Sequence, residues 1–417
     1  MKEMISPEEA RELLTSHVAP LDAEVVPLLQ AAGRVAAADL VSDIDISPFA
    51  HSAMDGFAVQ ASQIAGASAE SPVALRVIAE EAAGDVYEGN IADGECIRIM
   101  TGAPLPAAAD SVVKYEIVGV REGDGHVGSL VEFTAPTKRR SNVREAGEEA
   151  RAGEVIVHAG DVISSAGIGF LAGCGNVEIP TYRRPRVAVI ATGSELVDPS
   201  EVPAPGKIRN SNSYAMAACV QEAGGIPIML PIVEDTFEAL KSAVDDASKE
   251  YDFVLTTGGA ANGDFDFIKK VVDELGTLHM VTVNMRPGKA QTSGLVNGTP
   301  VFGLPGNPAA AYTGFHMLIR PMLRKMQGYT HFEHTAVWAR LSKDMRKKDP
   351  RRIYLRSTLT KDEQGYLVTP AANQSSGLFG VIQRSNCLAI MPEGLESKRA
   401  GDMVECLLLD IPEELVL

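Results

Sequence analysis

The sequence predicts a multidomain α/β protein built on a doubly wound, mostly parallel sheet, with a β-rich domain inserted ahead of it and a small β domain behind. Three observations carry that expectation. Between Arg186 and Gly328, near-continuous apolar runs alternate with helical stretches, the pattern of strands buried on both faces. Between about residues 46 and 140, short apolar runs are separated by glycine and proline, which reads as strands and turns. The length, 417 residues, is enough for about two to four domains.

Taken in order, the chain opens with "MKEMISPEEARELL". Ser6 is placed to cap a helix, Pro7 sits where its missing N–H is harmless, and Glu9 completes a capping box. "VPLLQAAGRVAAADL" reads as a second helical stretch, so 1–45 is a helical region. "VALRVIAEE", "ECIRIM", "SVVKYEIVGV" and "LVEFTA" are the strands of an inserted domain, 46–140. Residues 141–182 carry the small-residue helix "GDVISSAGIGFLAGCG", and with 1–45 form one linking region split by the insertion.

In 183–328 the strands are "RVAVIAT", "IPIMLPIV", "DFVLTTGG", "HMVTVNM" and "TPVFGLPG". The helices between and after them are "SNSYAMAACVQEAG", "TFEALKSAVDDASKE", "FIKKVVDELG" and "NPAAAYTGFHMLIRPMLRKMQG". The last segment, 329–417, reads as a small all-β domain from "AVWARLS", "RRIYLRSTLT", "GYLVTPA", "CLAIMPE" and "DMVECLLL".

Composition narrows the function. Lys and Arg total 38 against 55 Asp and Glu, a formal charge of −17, which argues against general nucleic-acid binding. No apolar run reaches the roughly 18 residues of a membrane span, and the N-terminus lacks an apolar signal core. Five scattered cysteines without a C-x-x-C pair read as reduced thiols of a cytoplasmic protein. His331 and His334 are close in sequence, but no cysteine joins them, so the spacing argues against zinc.

In a doubly wound sheet, ligands bind beyond the carboxyl ends of the strands. Three such ends run into turns rich in glycine or hydroxyls: "ATGSEL" (Ala191–Leu196), "TTGGAANGD" (Thr256–Asp264) and "GLPGNPAAA" (Gly303–Ala311). Glycine lets a phosphate approach the backbone. Any one of the three reads equally as an ordinary strand-to-helix turn. No Walker-type G-x-x-x-x-G-K-[ST] occurs. Asp264, Asp266 and Glu195 follow two of these turns. Beside an anionic ligand they would need a divalent cation such as Mg²⁺, which uses one or two carboxylates plus substrate phosphates; Asp264 alone also fits a helix N-cap.

"MRPGKA" offers Arg286 and Lys289 as anion-binding cations. "HSAMDGFAV" places Asp55 before a glycine, and "IMTGAPLP" ends a strand at Thr101. Each alone reads as a turn. "KDMRKKDPRRIYLR" (Lys343–Arg356) holds seven basic residues against two acidic ones. It is either a solvated face or a patch that draws in an anion.

Together, "SAMDGFAV", "IMTGAPLP", "NVREAGEE", "ATGSEL", "TTGGAANGDFDF", "MRPGKA" and "GLPGNPAAA", in this order, resemble the molybdopterin molybdenumtransferases, the family of the gephyrin E domain and its bacterial relatives. The resemblance spans nearly the whole chain. It implies an elongated, four-domain subunit that forms a homodimer, and insertion of molybdate into adenylylated molybdopterin with release of AMP, using Mg²⁺. A molybdopterin adenylyltransferase is then a candidate partner. By motif, Asp55 and Thr101 fall in catalytic loops of the inserted domain, and Glu195, Asp264 and Asp266 at catalytic and metal-binding carboxylate positions. Thr257, Gly258 and Gly259, with Arg286, Lys289, Pro305, Gly306, Asn307, Pro308 and Arg352, fall on the substrate and oxyanion side. The resemblance also implies a cleft between domains, across the dimer.

This sequence departs from the family pattern at several places. Ala261 and Ala310 stand where the family has serines, Glu149 where it has aspartate, and "GSEL" replaces "GDEL". A tungstate-inserting relative, or a non-catalytic carrier or scaffold, is compatible with the two lost hydroxyls.

Overall fold

A computed structural model describes residues 1–258 and 267–409. The chain forms two compact units, one made of Met1–Glu24 with Pro180–Leu417, the other of Val25–Ile179. No helix among the described residues is long and apolar enough to cross a membrane.

The first unit is built on a six-stranded sheet in the order Ile226–Met229, Arg186–Ala191, Phe253–Thr257, Thr299–Leu304, Ala290–Val296, Gly276–Thr282. The first four run parallel and the last two antiparallel. Alternation along the strands explains why both faces are covered. Val187 and Val189 meet Met216, Val220, Phe315 and Met322 from the helices Asn212–Glu222 and the helical run from Pro308 to Met326. Ala188 and Ile190 meet Leu240, Val244, Ile268 and Val271 from Phe237–Glu250 and Phe267–Leu275. The chain passes from Arg186–Ala191 to one side first and then returns to the other, so the sheet's switch point lies beyond Ala191 and Thr257.

The helix Pro7–Ser16 forms with the expected box: Ser6 Oγ accepts the Glu9 N–H at 3.2 Å and the Glu9 carboxylate accepts the Ser6 N–H at 2.9 Å. Its Ala10 and Leu14 join the core beneath the sheet. The strand Ala290–Val296 is not among the strands that the sequence predicts. Its "QTS" is polar yet fully buried, and Asn297–Gly298, both with positive φ, turn it into Thr299–Leu304.

The rest of this unit is a small closed barrel. Arg352–Asp362, Gly365–Pro370, Ala336–Leu341, Met403–Leu408 and Cys387–Met391 follow one another around it, and the last pairs back on the first. The short strand Met285–Arg286, from the sheet side, pairs in parallel with Arg352–Ile353. In that register Met285 lies opposite Arg352 and Arg286 opposite Ile353.

The second unit holds another six-stranded sheet: Ser111–Lys114, Gly56–Val59, Glu95–Ile99, Val73–Glu81, Leu130–Phe133, Val118–Glu122. It also holds the small-residue helix Ser165–Gly173. "VPLLQAAGRVAAADL" differs from the helix expected. It is extended to Pro27, makes one 3-10 turn over Leu28–Ala31, and opens at Gly33 with φ +74°. Its alanines and leucines favour helix, but Leu29 is 80% exposed, so no apolar stripe exists to stabilise one.

Candidate active site

Two cavities of the first unit share Asn307. The smaller, about 450 Å³, lies at the sheet's switch point and is lined by Thr192, Glu195, Asn212, Thr257, Gly258 and the Gly306–Asn307–Pro308 turn. The local backbone explains the glycines. Gly258 has φ +88°, and a Cβ there would sit 2.2 Å from the Thr192 carbonyl oxygen. Asn212 Nδ2 donates to the Gly306 carbonyl at 2.7 Å, tying the helix Asn212–Glu222 to the turn. Asn307 stands at the N-cap of the helix that begins at Pro308, but its side chain makes no capping hydrogen bond. Pro305 is buried behind the turn. Thr257 is buried and Glu195 is exposed at the mouth.

The larger cavity, about 600 Å³, lies where the Arg286–Pro287–Gly288 turn meets the barrel. Among the described residues five cations line it, Arg286, Arg346, Lys348, Arg351 and Arg356, against one carboxylate, Asp349. Arg356 is 3% exposed. Its Nη2 donates to the Ser375 carbonyl at 3.2 Å, its Nε has no partner, and no carboxylate among the described residues pairs with it. Burial, and then the neighbouring Arg286, push its pKa down to about 10. Gln374 clamps the Arg356 backbone from both sides, accepting its N–H at 3.1 Å and donating to its carbonyl at 2.9 Å. Asp349 accepts from Arg351 Nε at 2.9 Å and from Arg286 Nη1 at 3.2 Å. These guanidinium hydrogen bonds, Arg351's first, hold its carboxyl well below the usual carboxylate range.

The structure sorts the sequence-derived candidates. Thr257, Gly258, Glu195, Gly306, Asn307 and Pro308 gather at the smaller cavity, and Arg286 joins Asn307 at the larger. Lys289, half-buried in the same turn, lines neither. Arg352 is directed elsewhere: it pairs with Glu8 and with Glu393 and lines a third cavity, on the far side of Tyr354, which lines both. Its neighbour Arg351 faces the anion-type cavity instead. Ala310, where the family pattern has serine, lines that cavity without a hydroxyl.

Ser375, Ser376 and Gln374 were missed; "NQSSG" carries no charge to mark it, whereas Arg351 and Arg356 lay within the basic run already noted. Gly259, Asp264, Asp266 and Ala261 lie outside the described residues.

In the second unit, Asp55 and Thr101 do come together. The Thr101 N–H and Oγ1 donate to Asp55 Oδ1 at 2.8 and 2.7 Å. The backbone bond first and the hydroxyl second lower the Asp55 pKa, while its carboxylate stays open to solvent. Gly56 is required next to it, because a Cβ there would meet the Val113 carbonyl oxygen at 2.1 Å.

A molybdopterin molybdenumtransferase of Staphylococcus aureus is 33% identical over 413 residues, 98% of this chain and 97% of that one. The chain belongs to the molybdopterin molybdenumtransferase family. The molybdenumtransferase of Staphylococcus epidermidis is 34% identical over 420 residues, 99% of this chain and 98% of that one. Family models match in three parts: the MoeA N-terminal region (domains I and II) at 5–175, a probable molybdopterin binding domain at 188–325, and the MoeA C-terminal region (domain IV) at 338–409. Among solved structures, the MoeA molybdopterin biosynthesis protein of Pyrococcus horikoshii aligns with a TM-score of 0.82 at 32% identity, covering 97% of this chain and 99% of that one. In this molybdenumtransferase-family chain, both cavities fall in the parts matched by the second and third models.

Proposed function

We propose that this chain inserts molybdate into adenylylated molybdopterin and releases AMP, completing molybdenum cofactor. The observation that carries the proposal is Arg356: a buried guanidinium that, among the described residues, has no carboxylate partner and shares its cavity with four further cations. A buried charge is costly unless paired, so the cavity suits an anionic ligand that supplies the missing charge. Molybdate and the phosphates of the substrate are such ligands.

On this reading the arginine cavity holds oxyanion or phosphate. The glycine turns at Gly258 and Gly306 let another part of the substrate approach the backbone. Asn307 touches both. The gain comes from positioning and from neutralising charge as AMP leaves, and no covalent nucleophile on the protein is needed.

A divalent cation, Mg²⁺, belongs to the same proposal. Among the described residues no group of three or more His, Cys, Asp or Glu could hold a metal ion. Glu195, exposed at the smaller cavity, fits the one-carboxylate-plus-phosphates mode of Mg²⁺; Asp264 and Asp266 are its proposed companions. When bound, the ion offsets phosphate charge. Participation of Asp55 and Thr101 in the same reaction, Lys289 as an oxyanion ligand, a homodimer, an adenylyltransferase partner and a cytoplasmic location complete the proposal. Arg351 takes the ligand role expected of Arg352.

The test is turnover. Purified protein, adenylylated molybdopterin, molybdate and Mg²⁺ should release AMP in step with cofactor formation. Pterin binding with no AMP would replace the enzyme by a carrier.

A further inference from the structure

This inference rests on the reading that the arginine cavity receives an anion. The cavity wall already holds one. The Asp349 side chain is only 13% exposed and sits among Arg286, Arg346, Lys348, Arg351 and Arg356. Its two guanidinium partners are held very unequally. Arg351 gives it a backbone N–H at 3.0 Å, Nε at 2.9 Å and a further contact from Nη2, and also reaches the Met285 carbonyl at 3.3 Å. Arg286 comes from a different segment, immediately before Pro287. It makes a single contact at 3.2 Å, and its side chain is 57% exposed. One arginine is fixed; the other is lightly tethered.

We infer that Asp349 is a built-in counter-anion: it holds Arg286 and yields it to an incoming oxyanion or phosphate, while Arg351 stays in place. Two anions then compete for one guanidinium. After the exchange Asp349 still faces the ligand, and like charges at short range in a poorly hydrated wall repel strongly. Asp349 therefore orients Arg351 and also limits how tightly an anion is kept. It is a positioning residue and an affinity-limiting one. This gives the aspartate a consequence that a purely structural role would not have, because the two roles predict opposite signs when its charge is removed. Loss of a brace loosens anion binding; loss of a competitor tightens it.

Asp349→Asn removes the charge and keeps an acceptor for the Arg351 N–H groups. Full-length wild type, Asp349→Asn, Arg286→Met and the double variant are titrated with tungstate by calorimetry at fixed ionic strength. Asp349→Asn is expected to bind at least about tenfold tighter than wild type, and to lower KM for molybdate without raising kcat. Arg286→Met is expected to bind at least about tenfold more weakly. On that background Asp349→Asn still relieves its repulsion of the ligand but frees no guanidinium, so it tightens binding by a clearly smaller factor than in wild type. Equal or weaker binding by Asp349→Asn, with its melting curve unchanged, overturns the inference. Wild type failing to bind tungstate at all would sink the anion cavity itself, which is a separate result. Should Asp349→Asn not fold, side-chain NMR of wild type decides: tungstate must break the Arg286–Asp349 contact, read as loss of the cross-peak between them, while the Arg351–Asp349 cross-peak persists. Retention of the Arg286–Asp349 cross-peak, or loss of both, rejects the exchange.

Discussion

Arg356 shows what one residue can reveal. An arginine 3% exposed and lacking a carboxylate partner among the described residues is a liability for folding, because desolvation is not offset. Arg356→Met should therefore leave the unliganded protein as stable or more stable in urea. It should also abolish stabilisation by tungstate, which in wild type amounts to about 2.7 kcal/mol at a hundred times Kd. A variant that is destabilised yet still stabilised by tungstate would make Arg356 structural. Asp55 carries the pH prediction. Its folded pKa is depressed from 3.8 by the two Thr101 hydrogen bonds, so their stabilisation is complete above the ordinary value and is lost only as pH falls through the lower, folded one. Thr101→Val removes the hydroxyl's share, and ¹³C NMR should find the Asp55 titration moved upward. At this scale the sequence was half legible. Charge marked the run Lys343–Arg356, but which of two adjacent arginines faces the cavity depends on strand register. Arg352 pairs with Glu8, 344 positions away, and no local pattern announces such a partner.

Elements were readable where burial was continuous. Phe253–Thr257 is buried at every position, and a short apolar run ending in glycine is the signature of such a strand. Ala290–Val296 was not readable, because Gln291, Thr292 and Ser293 are buried by neighbours on both sides rather than by their own polarity. The Asn297–Gly298 pair was the available hairpin signal. The Leu28–Ala31 stretch erred the other way, because propensity suggested a helix that packing does not support. The turns at the carboxyl ends were legible as glycine motifs, and the structure shows why. Gly258 combines φ +88° with a Thr192 carbonyl in the place of a Cβ. Gly258→Ala should cost about 2–4 kcal/mol, from left-handed strain plus overpacking. The turn would have to shift away from Thr192, and pterin binding should weaken along with stability. Urea melts and a binding titration of one preparation check both. A stability loss under about 1 kcal/mol would mean that the turn relaxes freely.

For the molecule as a whole, the acidic total and the cationic cavity act over different ranges. A formal charge of −17 repels anions at a distance, but surface charges are screened beyond about 10 Å at 0.1 M salt, so the five cations lining the cavity dominate once a ligand is close. The division of labour between the two units is the larger question. Asp55 and Thr101 belong to Val25–Ile179, and both cavities belong to the other unit. The second unit is an insertion, and the chain is anchored where it departs and returns: the Arg183 N–H donates to the Asp22 carbonyl at 2.9 Å, within the first unit. Deleting 25–179 and joining Glu24 to Pro180 through a short flexible linker therefore preserves the core that Ala10 and Leu14 share with Phe315 and Met322. A unit with its own core is expected to fold alone. The shortened protein should unfold cooperatively and bind tungstate within about threefold of the full chain, yet release no AMP from adenylylated molybdopterin. AMP release at the full rate would remove Asp55 from the chemistry. A folded, tungstate-blind product would show that the arginines alone do not make the anion site.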